Sequence, residues 1–137
     1  MSYTTEKIEE LRRKAEEYDL EGRQILDLLD NTALTATANG IGADWMPDWS
    51  RALINGLHPS LEAAALIHDV EYHAGGSAED RAAADSRFRT NCLKSAEAAY
   101  PWWDIRRYFA RESGRRFYRL LRTFGSWAWP EKAGDEI

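Results

Sequence analysis

Hydrophobic side chains recur at helical spacing in residues 1–30, with charged residues between them. The apolar positions are Ile8, Leu11, Ala15, Tyr18 with Leu20, Ile25, and Leu28 or Leu29. A period of three to four residues is typical of an amphipathic helix. The pattern therefore predicts one or two helices here, with Gly22 as the break.

Turn-forming residues dominate the next stretch, from Asn31 to Pro59. It contains Asn39-Gly40-Ile41-Gly42, Pro47 and Asn55-Gly56, all of which favour turns over regular elements. We expect a long structured loop with one short helix around Trp49 to Ile54, and at most a short hairpin. Loops of this length inside a small domain usually have a functional reason.

Two helices are predicted after the loop, joined by a short linker that contains Gly75 and Gly76. The first, Leu61 to His73, has Ser60 as a plausible N-cap and the glycines as its stop. The second starts at Ser77, with Asp80 placed for a capping box, and continues to Ala99. So short a linker favours antiparallel packing.

A last helix is predicted from about Trp102 to Phe124, with an interruption near Ser113-Gly114. Pro101 precedes it, and proline is favoured where helices begin. Beyond this helix, Trp127 and Trp129 beside Pro130 indicate a C-terminal anchor against the body of the domain.

These elements indicate a mainly α-helical fold, in which two antiparallel core helices follow a long structured loop. A length of 137 residues with 44% hydrophobic residues fits one domain. Its parts are an N-terminal helical region (1–30), a core (38–99) and an arginine- and aromatic-rich helix and tail (101–137). The single cysteine, Cys92, permits no internal disulfide, so packing or a bound ion must hold the fold.

The charge distribution is uneven. A net charge of −5 argues against a general nucleic-acid binder, so no specific nucleic acid is expected. Seven arginines nevertheless crowd one late segment: Arg106, Arg107, Arg111, Arg115, Arg116, Arg119 and Arg122. This segment could bind anionic lipid headgroups, phosphates or an acidic protein partner, could pair with the acidic N-terminal helix, or could present a solvated face while its aromatic residues pack. We favour the structural interpretation.

The N-terminal residues lack the basic start and apolar run of a secretory signal, and no window has the 18 apolar residues of a membrane span. We therefore expect a protein that works in the cytoplasm or is delivered by a virion or similar particle. Contact with a membrane would then occur from its surface.

Candidate chemistry lies on the helix that starts after Ser60. His68 and Tyr72 are four residues apart and share a face, whereas Asp69 points about 100° away. A neutral histidine is a suitable base near pH 7 when a second group fixes its tautomer. Asp85, on the next helix, is the leading candidate for that second group. A lone His-Asp pair is more often structural than catalytic.

The surrounding motifs change this balance. The segments Ile67-His68-Asp69-Val70-Glu71-Tyr72 and Ala84-Asp85-Ser86-Arg87-Phe88 resemble the His-Asp-x-x-Tyr and Ala-Asp-x-x-Phe signature of phospholipase A2-like domains in parvovirus capsid proteins and related bacterial and phage proteins. The resemblance implies calcium-dependent hydrolysis of the sn-2 ester of phospholipids. It makes His68 the base that activates water, Asp69 a calcium ligand, and Tyr72 and Asp85 the groups that orient His68.

The same resemblance implies a calcium loop. Ala38-Asn39-Gly40-Ile41-Gly42 matches the family's glycine pattern, so the backbone carbonyls of Ala38, Gly40 and Gly42 would join the Asp69 carboxylate around Ca²⁺. The resemblance covers about a third of the chain, from Ala38 to Phe88. Just after this loop, Trp45, Met46 and Trp49 could enter a lipid interface or form a core cluster that pins the loop.

Two further hypotheses belong to other classes. One is a non-catalytic phage or bacterial binding or assembly module that retains the phospholipase-like fold. The weaker one is a nucleic-acid-associated protein that uses the arginine-rich helix. Geometry discriminates the enzyme from the module, because the enzyme needs the His68 ring and an Asp85 oxygen within hydrogen-bond reach.

Overall fold

A computed structural model describes residues 4–38 and 56–129, except for the side chains of residues 36–38, 127 and 128. These ranges contain helices and no strand, which confirms the predicted mainly α-helical fold. The α-helices are α1 (Thr5–Glu17), α2 (Asn31–Ala38), α3 (Glu62–Ala74), α4 (Ala78–Ala99) and α5 (Ile105–Phe124). Short 3-10 helices span Arg23–Leu28, Pro59–Leu61 and Gly125–Ala128.

The N-terminal region breaks at Gly22, as the sequence predicts. Gly22 has φ of 75° and precedes the Arg23–Leu28 turn, a backbone conformation that favours glycine. Arg12 of α1 holds this turn in place by donating to the carbonyls of Leu26 and Leu29 at 2.9 and 2.7 Å. One α-helix and one 3-10 helix therefore form the N-terminal unit.

The expectation of a loop is wrong for its first residues, because Asn31–Ala38 is helical. The carboxylate of Asp30 accepts a hydrogen bond from the Ala33 amide at 2.8 Å, as an N-cap does. Leu34 is fully buried in the core. A cap and one buried side chain thus outweigh the weak helix propensity of the threonines. The short helix expected around Trp49 to Ile54 lies outside the described residues.

The predicted cap of α3 is wrong. A 3-10 turn from Pro59 precedes the helix, and the ring of His58 rather than Ser60 accepts the first hydrogen bond, from the Ser60 amide at 3.3 Å. Proline suits the first position of such a turn because its φ is fixed and it lacks an N–H. The helix ends at Gly75, whose φ is 69°.

The predicted start of α4 is confirmed, whereas the predicted interruption of α5 is not. The Ser77–Asp80 capping box is present, with hydrogen bonds of 3.1 and 2.9 Å. The expected interruption near Ser113-Gly114 is wrong, because α5 is continuous. A Cβ on Gly114 would lie 2.6 Å from Cβ of Cys92. This glycine lets α5 approach α4 closely.

Helix α3 lies at the centre of the packing. It contacts α1, α2, the Arg23–Leu28 turn and α4, and α4 in turn packs against α5. The largest fully buried apolar side chains of the core are Phe88, Ile8, Leu11, Leu20, Leu34, Leu61 and Ile67. Burial of each such side chain contributes about 1.5–3 kcal/mol. Among the described helices, none is long and apolar enough to cross a membrane.

Candidate active site

The face of α3 that carries His68 and Tyr72 turns inward, towards α4. Both side chains are buried, and their ring centroids are 4.3 Å apart. The spacing of four residues places them one above the other on the helix. The structure therefore presents the imidazole and the phenol side by side to the neighbouring helix.

Asp85 of α4 meets both side chains. One of its carboxylate oxygens, Oδ1, lies 2.9 Å from Nε2 of His68 and accepts a hydrogen bond from the Tyr72 hydroxyl at 2.7 Å. Asp85 is fully buried although it is a charged residue. The three predicted catalytic residues thus come together across the α3–α4 contact.

Two arginines complete the surroundings of Asp85. Arg122 of α5 donates to the other oxygen, Oδ2, at 2.7 Å, and Arg81 of α4 lies 3.6 Å from it. Arg81 also donates to the carbonyl of Leu121 at 3.0 Å, which ties α4 to the end of α5.

Sequence reasoning missed both arginines. Arg81 stands four residues before Asp85, a spacing that places the two on one helix face and could have identified it. Arg122 is 37 residues away from Asp85. No local pattern distinguishes it from the other arginines of α5.

These contacts set the charge states of His68 and Asp85. Burial lowers the pKa of His68 below its ordinary value and outweighs the opposing effect of Asp85, so the imidazole is neutral at pH 7. Burial alone would raise the pKa of Asp85. Hydrogen bonds from His68, Tyr72 and Arg122 hold that pKa below its ordinary value instead. A neutral imidazole therefore faces an ionised carboxylate.

The contact also fixes the histidine tautomer. An ionised carboxylate only accepts hydrogen bonds, so Nε2 of His68 must carry the ring proton and donate it to Asp85. The other ring nitrogen, Nδ1, is then an acceptor, and no described residue bonds to it. This is the arrangement that a general base needs, with one nitrogen held and the other able to accept a proton.

Aromatic residues close the site around the polar groups. The Phe88 ring lies 5.0 Å from the His68 ring, and the Trp129 ring meets Tyr72 edge-on at 4.9 Å. Trp129 is buried, and its Nε1 donates to the carbonyl of Gly76 at 3.0 Å. The expected C-terminal anchor is thus confirmed for Trp129, while the side chain of Trp127 lies outside the described residues.

Gly125 is required by a close approach at the same site. A Cβ at this position would lie 2.7 Å from the Tyr72 hydroxyl oxygen and 3.2 Å from a guanidinium nitrogen of Arg81. Glycine therefore lets the chain leaving α5 pass directly over the hydroxyl that donates to Asp85.

Asp69 has different surroundings from Asp85. Its side chain is partly buried, and no described residue forms an ion pair or hydrogen bond with it. Loss of solvation raises the pKa of Asp69 to about 7. A desolvated carboxylate without a partner is costly, and a bound cation would relieve that cost. Asp69 therefore fits the calcium-ligand role in charge and in donor type.

Of the other expected calcium ligands, only Ala38 lies within the described residues. Ala38 is the last residue of α2, a helix that packs against α3, whereas Gly40 and Gly42 lie outside the described residues. Within the described ranges, no group of three His, Cys, Asp or Glu side chains could hold a metal. The expected site does not need such a group, since it combines one carboxylate with backbone carbonyls.

Comparisons of the chain with protein-family models, with curated proteins and with solved structures found no match.

Proposed function

We propose that the chain is a calcium-dependent phospholipase A2-type hydrolase that cleaves the sn-2 ester of phospholipids. One observation carries the proposal. Asp85 holds the His68 ring through Nε2, which leaves Nδ1 as a proton acceptor, and the next residue of α3, Asp69, has a carboxylate without a partner among the described residues. The motif resemblance of the segments around His68 and Asp85 adds support.

In the proposed reaction, Nδ1 of His68 takes a proton from a water molecule while the water oxygen attacks the ester carbonyl carbon. The bond from Nε2 to Asp85 keeps the ring in the required tautomer, and the ionised carboxylate stabilises the imidazolium that forms. The proton then passes to the alkoxide oxygen as the carbon–oxygen bond breaks. A fatty acid and a lysophospholipid leave, and His68 returns to its neutral form.

Tyr72 positions this pair rather than touching the substrate. Burial, followed by its contact with Asp85, raises the pKa of Tyr72, so the hydroxyl keeps its proton and donates to the carboxylate. Asp69, together with the carbonyls of Ala38, Gly40 and Gly42, would hold the calcium ion. Once bound there, calcium would polarise the ester carbonyl and stabilise the developing oxyanion.

The burial of the site favours a second function, a non-catalytic binding or assembly module that retains the phospholipase-like fold. His68 and Tyr72 are buried, and two arginines neutralise Asp85. A buried network of hydrogen bonds of this kind also serves to specify a unique core. Such a module would bind calcium without hydrolysing phospholipid.

The test is fatty-acid release from mixed phospholipid vesicles, with calcium and with a chelator, by the wild-type protein and His68→Gln. The glutamine amide keeps an N–H donor for Asp85 but removes the base. We expect hydrolysis that depends on calcium and that falls roughly 100- to 10,000-fold in the variant. Thermal unfolding of both proteins shows whether the variant remains folded.

Two results would contradict the enzyme. Hydrolysis that continues unchanged in folded His68→Gln would eliminate the proposed mechanism. Calcium binding by a wild-type protein that releases no fatty acid would instead favour the module.

A further inference from the structure

Large apolar side chains are exposed where α5 begins. Trp102 and Trp103 are 82% and 70% exposed, and the next turns of the chain expose Ile105, Tyr108 and Phe109 by more than half. Five such side chains lie within eight residues, and the rings of Tyr108 and Phe109 pack edge-on at 5.7 Å. Exposed apolar groups concentrated in this way usually mark an interaction site.

The rest of α5 places charge on the same outward face. Ala110, Gly114, Phe117 and Leu121 face α4 and the core. At 100° per residue, the opposite face carries Ile105, Tyr108 and Phe109, followed by Glu112, Arg116 and Arg119. Glu112 is paired with Arg115 at 3.0 Å. An apolar half and a basic half thus lie one after the other along about 21 Å of helix.

The arginines of this face are not used inside the protein. Arg116 and Arg119 are exposed, and neither pairs with an acidic side chain among the described residues. By contrast, Arg122 reaches Asp85 and Arg107 lies 4.0 Å from Glu97. The outward arginines are therefore available to an external anion.

We propose that this surface, formed by Trp102, Trp103 and the outward face of α5, docks the protein on an anionic phospholipid bilayer. Indole and phenol rings prefer the boundary between the apolar and wet layers of a membrane, while arginines bind anionic headgroups. The inference deepens the proposed function, on which it rests, by naming the lipid surface from which substrate would be drawn. Arg122 of the same helix links the docked element to Asp85.

Charge distribution favours a lipid surface over other occupants. Helix α5 carries seven arginines and one glutamate, a net charge of +6. Since the whole chain carries −5, the remainder carries −11. A flat anionic surface attracts α5 and repels the rest, which orients the protein. A second copy docked through the same surface would bring two +6 helices face to face, and a polyanion that wraps the protein would meet its acidic sides.

The experiment is co-sedimentation of the full chain with vesicles of ether-linked phosphatidylglycerol or ether-linked phosphatidylcholine, with a chelator present. Ether lipids lack the sn-2 ester, so binding is measured whether or not the protein is a hydrolase. We expect binding to the anionic vesicles at least about tenfold tighter than to the zwitterionic ones.

Two variants and two matched controls test the surface. Arg116→Gln/Arg119→Gln should weaken binding on the order of 20-fold, and Trp102→Ser/Trp103→Ser at least about tenfold. The controls are Arg13→Gln/Lys14→Gln on α1, with the same charge change, and Leu28→Ser, an apolar residue that is 79% exposed elsewhere. Both controls should bind like the wild-type protein.

Failure of the docking surface is separable from failure of the enzyme. Hydrolysis of a monomeric, short-chain phospholipid should be the same in Trp102→Ser/Trp103→Ser as in the wild-type protein. Equal binding by all variants would overturn the docking proposal. A wild-type dimer in vesicle-free buffer that the tryptophan substitutions dissociate would also overturn it. Binding to single-stranded nucleic acid without binding to vesicles would overturn it as well.

Discussion

On the side of α3 that faces α4, the Asp85 carboxylate accepts hydrogen bonds from His68, Tyr72 and Arg122. One residue along the helix from His68, the Asp69 carboxylate has no partner among the described residues. Burial acts to raise the pKa of both carboxylates, but only Asp85 has partners that reverse this effect. The pKa of Asp85 is lowered by its partners, while desolvation raises that of Asp69 to about 7.

The two carboxylates therefore suit different roles. Asp85 is paired within the protein, whereas Asp69 is the one proposed to bind an external cation. The region around Asp85 is electrostatically complete in the folded protein, so its loss should cost stability. In the proposed enzyme a calcium ion supplies the partner that the Asp69 carboxylate lacks, so loss of Asp69 should cost calcium binding. The variants below test that division.

Asp85→Ala should have the largest effect, a loss of about 3–5 kcal/mol in the free energy of unfolding, measured by urea titration. The substitution leaves the buried Nε2 of His68 and hydroxyl of Tyr72 without their acceptor. Such a loss is a large part of the roughly 5–15 kcal/mol typical of domains. A cost below about 1 kcal/mol would show that the region is not held by this carboxylate.

Asp85→Asn keeps the shape of the side chain and one acceptor oxygen, so it isolates the contribution of the charge. Burial would raise the pKa of Asp85, but its hydrogen bonds lower it below the unfolded value of about 3.9. The stability from its charge is thus fully present above about pH 4 and is lost as the pH falls through the folded-state pKa. The stability difference between wild type and Asp85→Asn should shrink in that acidic range.

Calcium removal should give the next largest effect, and Asp69 should carry it. At a calcium concentration of 100 times Kd, binding to the folded state alone adds about 2.7 kcal/mol, which a chelator removes. In Asp69→Asn, calcium should leave the unfolding temperature unchanged. Asp27→Asn, which removes a carboxylate that is 82% exposed, is the matched control and should behave like wild type. A full calcium response in Asp69→Asn would place the ion elsewhere.

The parts of the fold with local signals were predictable from the sequence. The helical period of α1, the glycine stop after α3 and the Ser77–Asp80 capping box each depend on residues a few positions apart. Helix α2 was missed because its evidence is one buried residue, Leu34, whose burial depends on other helices. Gly114 was misinterpreted as a break, since sequence alone cannot distinguish a flexible glycine from one required by close packing.

The candidate site divides in the same way. The motif spacing brought His68, Tyr72 and Asp85 into one hypothesis before any contact was known. That hypothesis did not include Arg122, because a contact between residues 37 positions apart produces no repeating pattern in the sequence. Its role follows only from the packing of α5 on α4, which Gly114 permits.

Arg122→Ala should have the smallest effect on stability, a loss of about 1–2 kcal/mol measured by urea unfolding, since a hydrogen bond to a charged group is removed from a site with other partners. Arg81, 3.6 Å from the same carboxylate oxygen, would retain part of the charge balance. Arg122→Lys keeps the charge and should recover some of the loss. Arg119→Ala, on the exposed face of the same helix, is the control and should change stability by less than about 0.5 kcal/mol. Equal losses in Arg122→Ala and Arg119→Ala would mean that Arg122 adds no measurable stability to Asp85.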